Sequence, residues 1–311
     1  GLPEPFCSYH KIFIGAAERG LMPKPRFIIN TTLACDANLL TFRRLADFFR
    51  VPQYVIDVPY EPDEAAVAYV AEQLRELKHF LEEVTGKNIS EEAVQQAVAN
   101  SRKASSNYQQ QLTLRKDHDP VTTITNELYA IFMCHLLAGS EASVKYTEML
   151  LNDVKKAPKG EGLHVIWMHI MPFLQAPVKE IFNYSTKMHI RACDFVADGF
   201  QEMHEEDPYE ALAEKMVYSI YNGNVSQRIQ AAEKLARETE ADGGILFAHW
   251  GCKGTIGASS LIKSSLEKAG IPTMILDGDG CNPANTSDGQ VSTRLQAFVE
   301  MLEEGKEEKD L

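Results

Sequence analysis

The stretch around Gly244–Ala248 (Gly-Ile-Leu-Phe-Ala) constrains this chain more than any other. It reads as a buried strand that runs into the glycine-rich loop Trp250-Gly-Cys-Lys-Gly-Thr-Ile-Gly257 and then a helix over 258–268. Gly270 is a suitable cap for that helix, and Pro272–Leu276 supplies the next strand, finishing in Asp277-Gly-Asp-Gly-Cys281. Strand, loop, helix and strand in that order require a parallel sheet, whose ligands gather at the C-terminal ends of the strands.

The same order opens the chain. Residues 25–30 form a short apolar strand that enters Thr31, Thr32 and Cys35-Asp36, after which Leu39, Phe42, Leu45 and Phe49 mark one helical face. Residues 54–58 give a second strand, stopped by Pro59. From Pro62 to about Lys156 the pattern is helical, and Ala157-Pro-Lys-Gly-Glu-Gly162 is the clearest linker. Strands over 164–170 and 188–193, a helix over 225–240 and a closing helix over 293–303 complete a second α/β layer. Residues 304–311 are charged and are expected to fray. The expected division is 1–61, 62–160 and 161–311, with a longer natural chain before Gly1, which is not preceded by an initiator Met.

Bulk properties narrow the function classes. Hydrophobic residues at 44% and charged residues at 24% describe an ordinary globular protein. A formal charge of −13 argues against a nucleic-acid partner, because that affinity depends on neutralising phosphates. No apolar run approaches the roughly 20 residues of a membrane helix, and no cationic-then-apolar leader opens the chain. A cytoplasmic, non-membrane protein is expected. Walker A, GxGxxG, GxSxG and HExxH motifs are all absent. Any ATP chemistry must therefore come from a partner.

Six cysteines are spread singly, without a CxxC pair, so the local spacing of a zinc ribbon, thioredoxin site or ferredoxin is missing. Three of them, Cys7, Cys35 and Cys252, sit beside loops at strand ends or helix starts. Three lone thiolates gathered by folding can hold a [4Fe-4S] cubane and leave one iron open to substrate. Cys252 is the best placed, because it precedes a helix whose N-terminus favours anions. Gly251, Gly254 and Gly257 let a bulky group approach the backbone there. A plain β-α turn that binds nothing, or a phosphate, is the competing reading. Cys35 is otherwise a buried cysteine at a helix start, and Cys7 alone says little. Cys281 can reach the same cleft or serve as a turn residue. Cys134, in an apolar helical run, and Cys193 read as packing thiols. His169 and His249 end strands and are suited to polarising a carbonyl or moving a proton, or else are hydrogen-bonded core histidines. Asp277 and Asp279 fit a turn better than a metal site.

At this point the residues resemble the 2-hydroxyacyl-CoA dehydratase and benzoyl-CoA reductase family, the family of the 2-hydroxyglutaryl-CoA dehydratase D-component. The blocks that carry the resemblance are Phe6-Cys-Ser-Tyr, Thr31-Thr-Leu-Ala-Cys-Asp36 and Asn222 to Arg228. Further on they are Ala241-Asp-Gly to Cys252, Gly270-Ile-Pro-Thr, Leu276-Asp-Gly-Asp, Gln290-Val-Ser-Thr-Arg294 and Ala297-Phe-Val-Glu300. The resemblance implies an α/β fold of two Rossmann-like parallel-sheet subdomains with a helical segment between them and an iron–sulfur cluster in the cleft. It implies cluster ligation by Cys7, Cys35 and Cys252. It also implies a separate ATP-dependent iron–sulfur activator protein and a related second subunit or homodimer. The implied reaction is that of an anaerobic lyase. One electron enters the thioester of a 2-hydroxyacyl-CoA, and the ketyl radical anion expels the 2-hydroxyl.

Other readings stay open. One branch of the family holds a double-cubane [8Fe-9S] cluster on six cysteines, and His249-Trp-Gly-Cys-Lys with Gly278-Asp-Gly-Cys281 is similar to it. Leu21-Met22-Pro23 stands where that branch leads one to expect another cysteine. A benzoyl-CoA-type reductase, a non-catalytic electron-relay subunit and a cluster-free α/β protein are the remaining alternatives.

Overall fold

The computed structural model of the chain describes residues 2–310, with side chains described through 308. In chain order the elements are α1 (Ser8–Glu18), β1 (Ile28–Thr31), α2 (Asp36–Phe49), β2 (Gln53–Ile56), α3 (Glu64–Thr85), α4 (Glu91–Leu114), α5 (Ile124–Leu136) and α6 (Glu141–Lys156). Then come β3 (Leu163–Met168), α7 (Ala176–Phe182), β4 (Met188–Cys193), α8 (Asp194–Gly199), α9 (Pro208–Val217) and α10 (Val225–Glu238). The chain closes with β5 (Gly243–His249), α11 (Lys253–Lys268), β6 (Thr273–Gly278) and α12 (Asp288–Asp310). The chain is therefore mixed α/β with parallel sheets. Among the described residues no helix is long and apolar enough to cross a membrane.

Two compact units are formed, and the first is discontinuous: Gly1–Ala99 with Glu202–Asn224, against Asn100–Gln201 with Val225–Leu311. In the first unit β1 and β2 pair in parallel, Ile28 opposite Gln53 through Thr31 opposite Ile56. Asp63 caps α3 by accepting the Ala66 amide, and the left-handed Gly86 ends it. The buried face of α3, with Val67, Val70, Ala71 and Leu74, packs with Tyr209, Ala213 and Val217 of α9.

The second unit is built on a four-stranded parallel sheet of order β4-β3-β5-β6. Every residue of β3, β4 and β5 is buried, as expected of strands covered by helices on both faces. Trp167, Met168, Ile245, Leu246 and Phe247 have no exposed surface, and each such side chain contributes roughly 1.5–3 kcal/mol relative to exposure. The register of β3 on β4 skips Arg191, so that its side chain enters the interior. From β3 the chain first steps outward to β4, then returns past β3 to β5. Strand order therefore reverses between β3 and β5, and in open parallel sheets a ligand crevice forms outside the strand ends at such a point.

Several boundaries differ from those read in the sequence, among them the strand read at 25–30, which lies at Ile28–Thr31, and the ends of β3 at Met168 and α10 at Glu238. The helix after Cys252 begins at Lys253 rather than Ala258, because Gly254 and Gly257 are accommodated in its first turns. The closing helix starts at Asp288 and continues to Asp310, through the charged stretch expected to fray. The strand placed at 54–58 lies at Gln53–Ile56.

Candidate functional site

Four of the six cysteines occupy the same local position: Cys7, Cys35, Cys193 and Cys252 are the N-cap residues of α1, α2, α8 and α11. None of the four makes the side-chain capping bond that Ser, Thr or Asp would make there; Cys193 differs in opening a helix of only six residues and in being 2% exposed. Negative charge bound at such a position faces the positive end of a helix dipole. Thiolates are also the donors that select iron–sulfur clusters and zinc. The donor set fits a cluster.

In the first unit, His10 stands against Cys35. His10 lies three residues after Cys7, hence on the same face of α1, and its Nε2 is 3.5 Å from the Cys35 Sγ. The ring is buried, with Nδ1 making no hydrogen bond, and burial lowers its pKa. Ala34, just before Cys35, is left-handed at φ +69°, a conformation that non-glycine residues adopt rarely.

In the second unit, the reversal between β3 and β5 brings together the residues that end those strands. His169 Nε2 lies 3.6 Å from the Cys252 Sγ. His169 is itself left-handed at φ +76°, and its backbone N–H donates to Asp194 Oδ1 at 2.7 Å. The other Asp194 oxygen accepts from the Arg228 guanidinium, whose Nη1 donates to Thr255 at the start of α11. This chain of buried contacts ties the loops after β3 and β4 to α10 and α11, and so fixes the His169 ring against Cys252. Burial, with the nearby Arg228 and His249, drives the His169 pKa well below its ordinary value. The Phe247 carbonyl opposes that shift, yet Nδ1 makes no hydrogen bond. Gly251, at φ +78°, makes the turn between Trp250 and Cys252.

His249 and Cys281 belong to the adjoining edge. Donor atoms of His249, Asp279 and Cys281 lie within 4.8 Å of one another. The Asp279 oxygens and His249 Nδ1 are engaged, however. Asp279 Oδ1 accepts from the Cys281 and Asn282 amides, its Oδ2 accepts from Asn285, and His249 Nδ1 accepts from the Gly280 amide. This arrangement is a loop clasp, and a metal ion there would have to displace it. Because Nδ1 is an acceptor, a neutral His249 carries its proton on Nε2. Asp277 is turned away to the surface and pairs with Arg294.

Cys134 and Cys193 are packing residues. Cys134 is buried, donates to the Ile131 carbonyl and abuts Gly199, where a Cβ would come within 2.5 Å of its sulfur. Burial, with Asp194 beside it, pushes the Cys193 thiol well above its ordinary pKa. Sequence reasoning passed over His10, Asp194 and Gln175. His10 carries the signal of standing one turn after Cys7. The carboxamide of Gln175, at the start of α7, is buried with neither end hydrogen-bonded, and it fills the space a Cβ on Gly278 would need.

Residues 1–302 match the family model of 2-hydroxyglutaryl-CoA dehydratase, D-component. The chain belongs to that family. It is 23% identical to the (R)-phenyllactyl-CoA dehydratase alpha subunit of Clostridium sporogenes, over 99% of this chain and 79% of that protein. It is 24% identical to the alpha subunit of (R)-2-hydroxyglutaryl-CoA dehydratase from Acidaminococcus fermentans, over 93% of this chain and 62% of that one. It is also 22% identical to a benzoyl-CoA reductase subunit of Thauera aromatica, over 98% of this chain and 78% of that one. This chain thus spans under two thirds of the Acidaminococcus protein and about four fifths of the other two.

Proposed function

We propose that this chain is the iron–sulfur subunit of an ATP-activator-dependent radical 2-hydroxyacyl-CoA dehydratase, with Cys7, Cys35 and Cys252 holding one [4Fe-4S] cluster. The observation that carries the reading is the membership of this family, supported by the placement of these three thiols as N-caps, without a capping bond, of helices of eleven residues or more. The burial of Cys134 and Cys193 favours one cubane over a double cubane. When bound, the cluster supplies a single low-potential electron and an open iron for an oxygen ligand.

The chain's own residues do the rest. Gly251 and Gly254 keep the approach to Cys252 free of side chains. His249, with its proton on Nε2, is the group offered to the thioester oxygen, where it stabilises the negative charge that builds as the electron enters. Loss of the 2-hydroxyl as water leaves the redox balance of the substrate unchanged, so the electron is returned and serves repeatedly. Since the chain has no phosphate-binding loop, ATP hydrolysis takes place on a separate activator. A related second subunit completes the enzyme in this reading, which is supported by the relatives being named as subunits themselves.

Iron and acid-labile sulfide analysis of anaerobically purified protein tests the reading. About four irons per chain, lost when Cys7, Cys35 or Cys252 is replaced by alanine, is the expected result. About eight would favour the double cubane, and none would leave a cluster-free protein. The loaded protein should dehydrate 2-hydroxyacyl-CoA thioesters only with activator, ATP and reductant present. Turnover without them would overturn the radical mechanism. Net reduction of an aryl-CoA thioester would move the chain to the reductase branch.

A further inference from the structure

The same contact occurs twice in this chain, once in each compact unit: a buried histidine Nε2 against the sulfur of an N-cap cysteine. The pairs are His10 with Cys35 at 3.5 Å and His169 with Cys252 at 3.6 Å. They come from unrelated elements, the first from two helices and the second from the ends of neighbouring parallel strands. In both, the other ring nitrogen makes no hydrogen bond and the side chain is buried. A buried N–H without an acceptor is costlier than a buried lone pair without a donor. The His10 ring therefore places its proton on Nε2, where sulfur is the available acceptor. At His169 the Phe247 carbonyl is also near the ring, yet Nδ1 makes no hydrogen bond and Nε2 faces the sulfur. Left-handed backbone at Ala34 and at His169 holds one member of each pair in place, and the Asp194–Arg228 pair braces the second.

We infer that His10 and His169 are positioning residues that donate Nε2–H···Sγ hydrogen bonds to two of the three cluster cysteines and thereby set the cluster's reduction potential. This rests on the cluster reading given above. A donor on a ligand sulfur withdraws electron density and favours the reduced cluster, which carries one more negative charge. Neither histidine reaches substrate in this role. His169 is therefore withdrawn from the catalytic duty that its place at a strand end suggested, leaving His249 for it.

The experiment uses the full chain, purified anaerobically and cluster-loaded, as wild type and as His10→Leu, His169→Leu, His10→Gln and His169→Gln. Reductive titration followed by electron paramagnetic resonance gives the midpoint potential, while iron content is measured on the same samples. At a fixed solution potential each leucine variant should show about a tenfold lower ratio of reduced to oxidised cluster, equivalent to about 59 mV for one electron. The glutamine variants, which keep an amide N–H donor, should recover most of that loss. Independently of any substitution, wild-type protein labelled with 15N-histidine should show weak 15N coupling in the reduced cluster's electron-nuclear double resonance spectrum. Iron content equal to wild type with unchanged potentials, or no 15N coupling, overturns the inference while leaving the cluster reading intact. Absence of iron from the wild type overturns the cluster reading itself, and the inference with it.

Discussion

Arg191 and Asp119 meet side by side inside the second unit, Nε on Oδ1 at 3.1 Å and Nη2 on Oδ2 at 3.0 Å, both side chains almost wholly buried. The pair joins the bulge of β4 to the connection after α4. Its remaining capacity is used by the Thr239 carbonyl on Arg191 and the Gly160 amide on Asp119. Removing one partner strands a buried charge. Arg191→Met should cost about 3–5 kcal/mol in denaturant unfolding, and adding Asp119→Leu should recover part of it. A loss in the double variant equal to the sum of the two single losses would show that the pair is not coupled.

His164 sits between two carboxylates, Nε2 at 3.1 Å from Asp119 and Nδ1 at 3.4 Å from Asp242. Burial alone would lower its pKa, but the two carboxylates outweigh burial and the opposing Arg191, and raise it. A histidine raised on folding stabilises fully below its ordinary 6.5 and loses that contribution as pH climbs through the folded value. Asp119 and Asp242 have the opposite sense. Burial pushes both up, hydrogen bonds from His164 and others more than compensate, and the resulting lowered pKa values give stability that is lost as pH falls through them. His189, stacked on His164 with ring centres 5.5 Å apart, is lowered mainly by burial and favours the neutral form, a contribution that disappears as pH drops below 6.5. Thermal midpoints measured across pH should therefore carry a declining contribution from His164 as pH rises above 6.5 in the wild type, and His164→Gln should abolish it. An unchanged alkaline slope in the variant would contradict the assignment.

Cys134 and Gly199 are mutually exclusive in size. A methyl group on Gly199 would lie within 2.5 Å of the Cys134 sulfur, so Gly199→Ala should destabilise by about 1–3 kcal/mol, the usual range for overpacking. Cys134→Ala should relieve part of this in the double variant, and alone it should leave bound iron unchanged. Loss of half the iron on Cys134→Ala would restore the double cubane as the leading reading.

Gln175 buries an amide with no hydrogen bond at either end. A structure tolerates such a group at a cost of about 1–3 kcal/mol. Gln175→Met, close in volume and without polar atoms, should raise the thermal midpoint. A lower midpoint would mean that the amide is satisfied in solution.

Much of the second unit was legible because β5 and the core of β3 are apolar runs closed by a histidine and then glycine or proline. The same punctuation singled out Cys252. What escaped the sequence were the pairings across long separations. Cys35 and His10 are 25 residues apart, and His169 and Cys252 are 83 apart, so neither contact has a local pattern. The early start of α11 escaped for another reason. Its first turns contain two glycines, whose low helix propensity is overridden by packing of the helix on β5 and β6. Asp279 looked like a turn residue and is one, yet the same turn fixes the tautomer of His249, which periodicity cannot disclose.

The division of the first unit into two stretches has a consequence for how the chain is made. Helix α3 presents Val67, Val70, Ala71 and Leu74 to α9, which is encoded only after the intervening stretch Asn100–Gln201. At roughly 5–20 residues per second, that stretch takes on the order of 5–20 s to emerge from a ribosome. For that interval a nascent chain carries an apolar helix face that has Ile56 and Val58 beside it but lacks its cover from α9. Newly synthesised chains halted between residues 100 and 201 should accordingly bind holdase chaperones, and release should coincide with the arrival of α9.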